Sequence, residues 1–118
     1  MIHYTEIARF ARDGFDIIVD RRPEDMHPGD SFDDTAYNIA DICRQIDLGH
    51  MEWFQLRVRA MVQGHTLGTS TLAGCLYAAD SVTDVLVDGT AEDGIWDALN
   101  EARQAVLELL PRLQQIHV

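Results

Sequence analysis

Ala8-Arg9-Phe10-Ala11-Arg12-Asp13-Gly14-Phe15-Asp16-Ile17-Ile18-Val19 is the stretch whose reading decides the fold. Asp-Gly between apolar runs is a strong two-residue hairpin signal, because both central residues of the favoured turn need positive φ. Counting outward, Arg12 faces Phe15, Phe10 faces Ile17, and Ala8 faces Val19. Ala8, Phe10, Phe15, Ile17 and Val19 then share one side, as a half-buried hairpin requires. Arg9, Ala11, Asp16 and Asp20 take the other side. A helical stripe through Tyr4, Ile7, Ala8 and Ala11 competes over the first arm. The register favours the hairpin, since it works on both arms.

Downstream, Pro23 to Asp34 reads as a loop broken by Pro23, Pro28 and Gly29. A helix is expected from Asp34 to Leu48, capped by Asp33 or Asp34 and stopped by Gly49. Ile39, Ile42, Cys43 and Ile46 form its apolar stripe. Glu52 to Tyr77 reads as a second hairpin. Phe54, Leu56, Val58, Ala60 and Val62 alternate with polar positions, and Gln63-Gly64-His65 makes the turn. Gly68 and Gly74 on the return arm mark a bulge or a close backbone approach. Ser81 to Val87 suggests a short helix. Thr90 to Asp93 resembles a capping box with Asp in place of Glu. A last helix follows from Ala91 to Leu110, which Pro111 should end or bend. Paired strands separated by helices argue α+β. The expectation is one domain, ordered ββαββα with a short extra helix. It has a four-stranded antiparallel sheet and both long helices on one face.

The chain has 118 residues, with 20 Asp+Glu against 9 Lys+Arg and a formal net charge of -11. Every basic residue is arginine, which excludes a Schiff-base lysine and a P-loop lysine. A strongly acidic chain repels nucleic acid and anionic membranes. No apolar run reaches the roughly 18 residues of a spanning helix, and no secretory signal is read at the start, so a cytoplasmic location is expected. There Cys43 and Cys75 should be free, buried and unmodified.

No catalytic signature is found. The serines lack a nucleophile-elbow context, and the histidines form neither HxxxH nor HExxH. His27 with Asp30, Asp33 and Asp34 lacks the spacing and closing Glu of a calcium loop. No metal and no cofactor are expected. Arg57 and Arg59 project from one strand face about 7 Å apart, close enough for one anion to bridge. The favoured reading is that they pair with Asp16 and Asp20 across the sheet surface.

Acidic residues concentrate in three places. These are Asp13, Asp16 and Asp20; Glu24 through Asp34; and Asp80, Asp84, Asp88, Glu92, Asp93 and Asp97. Such arrays can imitate the phosphate spacing of a duplex and occupy a basic channel. Asp30, Asp33, Asp34, Asp84, Asp88 and Asp93 are the candidate partner-binding residues.

Three segments also carry a resemblance: Gly14 to Val19, Pro23 to Asp33, and Glu52 to Ala60 leading to Leu72 through Tyr77. Together they resemble small acidic proteins carried by phages and plasmids. The resemblance implies a mobile-element context, in which small acidic inhibitors act on host defence, as anti-restriction and anti-CRISPR proteins do. It transfers no catalytic residue. The leading expectation is a non-enzymatic inhibitor or decoy facing a basic nucleic-acid-binding protein, with no direct nucleic-acid or membrane contact. The alternatives are a small anion- or nucleotide-binding module using Arg57 and Arg59, and an interaction domain that homodimerises through its open sheet face.

Overall fold

A computed structural model describes residues 3–33 and 35–116. Asp34, a candidate helix cap and binding residue, lies outside the described residues. The elements are β1 (Thr5–Arg12), β2 (Phe15–Pro23), a 3-10 turn (Pro28–Asp30), α1 (Ile39–Asp47), β3 (Met51–Val62), β4 (His65–Ala78), a second 3-10 turn (Val82–Leu86) and α2 (Thr90–Gln114). The four strands form one antiparallel sheet in the order β1-β2-β3-β4. The fold is α+β, and the order ββαββα stands.

The first hairpin adopts the register expected of it, with Arg12 opposite Phe15, Phe10 opposite Ile17 and Ala8 opposite Val19. Asp13 (φ 54°) and Gly14 (φ 86°) supply the two left-handed residues of the turn. The second turn is tighter than expected. Gln63 (φ 50°) and Gly64 (φ 78°) suffice, and His65 already pairs with Val62 as the first residue of β4. Gly74, also at positive φ, bulges β4 between Leu72 and Cys75.

Phe15, Ile17 and Val19 of β2 and Phe54, Leu56, Val58 and Ala60 of β3 bury one sheet face under Ile95, Ala98, Leu99 and Ala102 of α2. Gly68 lets α2 approach. A Cβ there would lie 2.8 Å from the Ala102 nitrogen and strike the Ala98 carbonyl oxygen. Here the close-approach reading of a strand glycine holds.

Three details differ from expectation. α1 contributes nothing to this core, and none of its residues is fully buried. Its Cys43 and Ile46 instead border Trp53 at an open cavity. The helix also starts later, because Asn38 rather than Asp33 accepts the orphan N–H, from Asp41. Finally, α2 continues to Gln114 with Pro111 inside it. Pro111 sits in the last turn, where one lost N–H donor leaves a carbonyl that water can reach. The long helix makes the molecule extended, at 62 × 30 × 24 Å, with a radius of gyration of 17.6 Å. A compact chain of this length would have about 13–14 Å.

Candidate functional site

The loop after β2 is organised from within. Pro28 is buried, and the His27 Nδ1 accepts the Gly29 N–H at 2.9 Å. Asp33 accepts from the Thr35 N–H (2.9 Å) and hydroxyl (2.8 Å). These two bonds, the backbone one first, hold the Asp33 carboxyl below its ordinary pKa. Asp33 therefore shapes its own turn rather than capping α1. Phe32 packs on Tyr37 and Trp53, at 5.1 and 5.7 Å between ring centroids. The Trp53 indole donates to the Met26 carbonyl at 2.7 Å. Glu24 clamps the loop to the sheet by accepting from the Met26 N–H, the Gln55 amide and the Gly74 N–H, at 3.0–3.1 Å. Its burial would raise the carboxyl pKa, but these donors outweigh it and the pKa is lowered.

The second acidic segment leads into α2. Gly89, left-handed at φ 91°, sits at the N-cap, so the expected Thr90–Asp93 capping box does not form. Asp88 does that work instead, accepting the Thr90 N–H at 2.9 Å. Tyr77 of β4 hydrogen-bonds both the Asp88 carboxylate and the Thr90 hydroxyl, the latter at 2.7 Å. The Tyr77 bond first, then those of Thr90, hold the Asp88 pKa low. Burial, then Asp88, pushes the Tyr77 phenol up. Asp84 lies in the first turn of the second 3-10 segment and Asp93 in the first turn of α2, where a negative charge complements the helix dipole.

The two segments meet. An open groove of about 370 Å³ is lined by Phe32 on one side, Thr90 on the other and Leu72 to Tyr77 between them. Asp30 and Asp33 flank Phe32 in sequence, and Asp88 and Asp93 flank Thr90. All four are exposed, as is Asp84. Residues separated by more than fifty positions thus border the same end of β4.

The ion pairs sharpen this picture. Eight of the nine arginines bridge carboxylates: Arg9–Glu6, Arg12–Glu92, Arg21–Glu52, Arg22–Asp25, Arg44–Asp41, Arg57–Asp20, Arg59–Asp20 and Arg103–Asp13. Among the described residues, Asp30, Asp33, Asp84, Asp88 and Asp93 are in none of these bridges. The acidic group on the first hairpin is largely neutralised, because Arg103 takes Asp13 and two arginines take Asp20.

Arg57 and Arg59 lie together on the face opposite α2, converging on Asp20. Arg57 donates twice to it, at 2.6 and 2.8 Å, and Arg59 once at 3.1 Å. Arg57 also lies 3.4 Å from the Tyr4 ring centroid. Asp20 is only 3% exposed, so the two arginines cover it, while Arg9, Ala11 and Asp16 on the same side of the first hairpin stay exposed.

The cysteines separate. Cys75 is buried, and burial followed by the nearby Glu24 charge pushes its thiol pKa up to about 11. Cys43, expected to be buried, is only partly so, and its Sγ lies 3.8 Å from the His27 Nε2. It sits at an open cavity of about 350 Å³ that includes Glu24, Met26, Asp47 and Trp53. Among the described residues, no group of three His, Cys, Asp or Glu side chains is placed to hold a metal ion. No described helix is long and apolar enough to cross a membrane.

Sequence reasoning missed Tyr77, Thr90 and Glu24. An Asp two residues before a helical N–H is a local signal that could have found the Asp88–Thr90 bond. Nothing local marks Tyr77, and of the Glu24 partners only Met26 is local, while Gln55 and Gly74 are distant in sequence. No family model, no curated protein and no solved structure matches the chain.

Proposed function

We propose that this chain is a non-enzymatic binding protein. It presents unpaired carboxylates to a basic, nucleic-acid-binding protein partner and so occupies the partner's phosphate-binding channel. The supporting observation is the partition of charge. Eight of the nine arginines are engaged by carboxylates, whereas exposed Asp30, Asp33, Asp84, Asp88 and Asp93 are in none of these ion pairs. The Asp33 and Asp88 carboxyls, held below their ordinary pKa, stay charged well into the acidic range. A mobile-element inhibitor of a CRISPR or restriction complex is the setting this reading favours, because such complexes expose basic channels to bind DNA.

The experiment measures association with such complexes as a function of salt. Binding should weaken steeply as salt rises. Asp30→Arg with Asp33→Arg should slow association, and so should the triple reversal of Asp84, Asp88 and Asp93, each by about tenfold or more. Arg57→Ala with Arg59→Ala should leave association intact provided the fold survives. The anion-module alternative forecasts the reverse pattern. Binding that ignores both acidic groups would sink the decoy reading.

A further inference from the structure

β4 is the last strand of the sheet, so its outer edge has no strand beside it. Every second residue of such an edge turns its N–H and C=O outward. Around Gly74 the edge is covered, because Glu24 accepts the Gly74 N–H and Phe32 lies alongside. From Thr66 to Leu72 it is not. Among the described residues, no turn or loop backbone hydrogen bond reaches that stretch. It holds neither a charge nor a proline, the ordinary protections of an edge strand.

α2 passes close to this stretch. At Gly94 a Cβ would lie 3.3 Å from a Val58 methyl and 3.5 Å from the Ser70 hydroxyl. Beside that contact lies an open cavity of about 150 Å³. Buried Leu56 and Val58 give it apolar lining, Ser70 and Leu72 come from β4, and Asp93 and Asp97 come from α2. Both aspartates are exposed, and among the described residues neither enters an ion pair. Four residues apart, they set like charges on one helix face, which costs helix stability. Asp93 recovers part of that from the dipole in the first turn, and Asp97, one turn further on, does not.

We propose that this edge docks an extended basic segment of a partner protein, which adds a fifth strand to the sheet. The segment's main chain pairs with Thr66 to Leu72. One of its arginines or lysines enters the cavity, laying its methylenes on Leu56 and Val58 and its charge against Asp93 and Asp97. Charge selects this occupant. The two carboxylates beside the edge attract a basic strand and repel an acidic one. A second copy of this chain is the wrong partner, because its own edge brings the same two aspartates and no cation. The opposite sheet face sets the alternation. There the added strand continues the row of Thr69 and Thr71, whose register partners Arg59 and Arg57 already share one carboxylate. A further cation on that face meets like charge, so uncharged β-branched residues fit it. Basic and β-branched residues therefore alternate along the segment. The inference rests on the proposed function in taking the partner to be basic, and adds how and where that partner is held.

The probe is a fluorescent seven-residue peptide with arginine and valine alternating and both ends blocked, titrated with the full chain. Anisotropy should give a dissociation constant of about 100 µM or tighter at low salt. Amide exchange should slow from Thr66 to Leu72 when the peptide binds. Asp93→Asn with Asp97→Asn should weaken binding at least about tenfold. Both side chains are exposed, and circular dichroism should show an unchanged fold. The same peptide methylated at every backbone nitrogen keeps its charge but has no N–H to donate, and it should not bind measurably. Asp30→Arg with Asp33→Arg, which slows association under the proposed function, should change peptide affinity far less than the asparagine pair. No binding at about 1 mM peptide overturns the inference. So does equal affinity for the methylated peptide or for the asparagine variant. A dimer of the free chain with slowed exchange over the same stretch also overturns it, by making a second copy the occupant. Failure of the peptide with salt-sensitive binding to a basic complex retained sinks this inference alone, and the converse sinks only the proposed function.

Discussion

Asp20 of β2 and Arg57 of β3 are register partners joined by two hydrogen bonds, and a second arginine, Arg59, reaches the same carboxylate. The carboxylate is nearly inaccessible and the guanidiniums are partly covered. Removing the acid leaves two partly buried cations facing each other. Asp20→Ala should cost about 3 kcal/mol, read as a lower urea midpoint with an unchanged slope. A loss below about 0.5 kcal/mol would mean that the cluster behaves as an ordinary surface pair.

Gly68 marks where α2 touches β4. Alanine there brings its Cβ against the Ala98 carbonyl, which is backbone and cannot swing aside. Gly68→Ala should destabilise by about 3 kcal/mol, the upper range for overpacking. The same change at Gly64, whose Cβ position is open, should cost less, through the strain of positive φ alone. Equal losses at the two sites would refute the close-contact argument.

The Tyr77–Asp88–Thr90 group ties β4 to the start of α2. Tyr77→Phe should cost roughly 1 kcal/mol near neutral pH, the usual value of a lost hydrogen bond. Asp88 titrates below its unfolded value. Its contribution is therefore present above about pH 4 and lost as pH falls through the lower folded pKa. Tyr77 titrates above its unfolded value, so its share is present below about pH 10 and lost as pH rises through the raised one. The gap between wild type and Tyr77→Phe should accordingly close at both extremes. Thermal melts at several pH values check this, and a constant gap would contradict it.

Thiol labelling distinguishes the cysteines. Cys75, pushed up to about 11 and buried, should react only on unfolding. Cys43 is partly exposed and should react with native protein. Peptide mapping after brief treatment reads the order directly. Labelling of Cys75 first would mean that its burial is wrong.

Both hairpins were legible because their information is local. The turns need left-handed residues, and Asp13-Gly14 and Gln63-Gly64 supply them. A period-two pattern then decides which side chains face inward. The helical stripe of α1 was just as legible, yet its destination was not. Ile39, Ile42, Cys43 and Ile46 specify that a face is apolar, and nothing in their spacing says which surface meets it. Pro111 does not end α2, which runs on to Gln114; what the proline forfeits is the single hydrogen bond to the carbonyl one turn back.

The sequence by itself determined the element order, the register of the first hairpin and the excess of negative charge. Each follows from neighbours along the chain or from simple counting. Tertiary structure alone decided which charges remain free. Arg57 and Arg59 meet Asp20 across strands, Arg103 meets Asp13 ninety residues away, and Glu24 reaches Gly74. Ion pairing depends on distances of a few ångströms between side chains, and those distances exist only after the strands and α2 have packed.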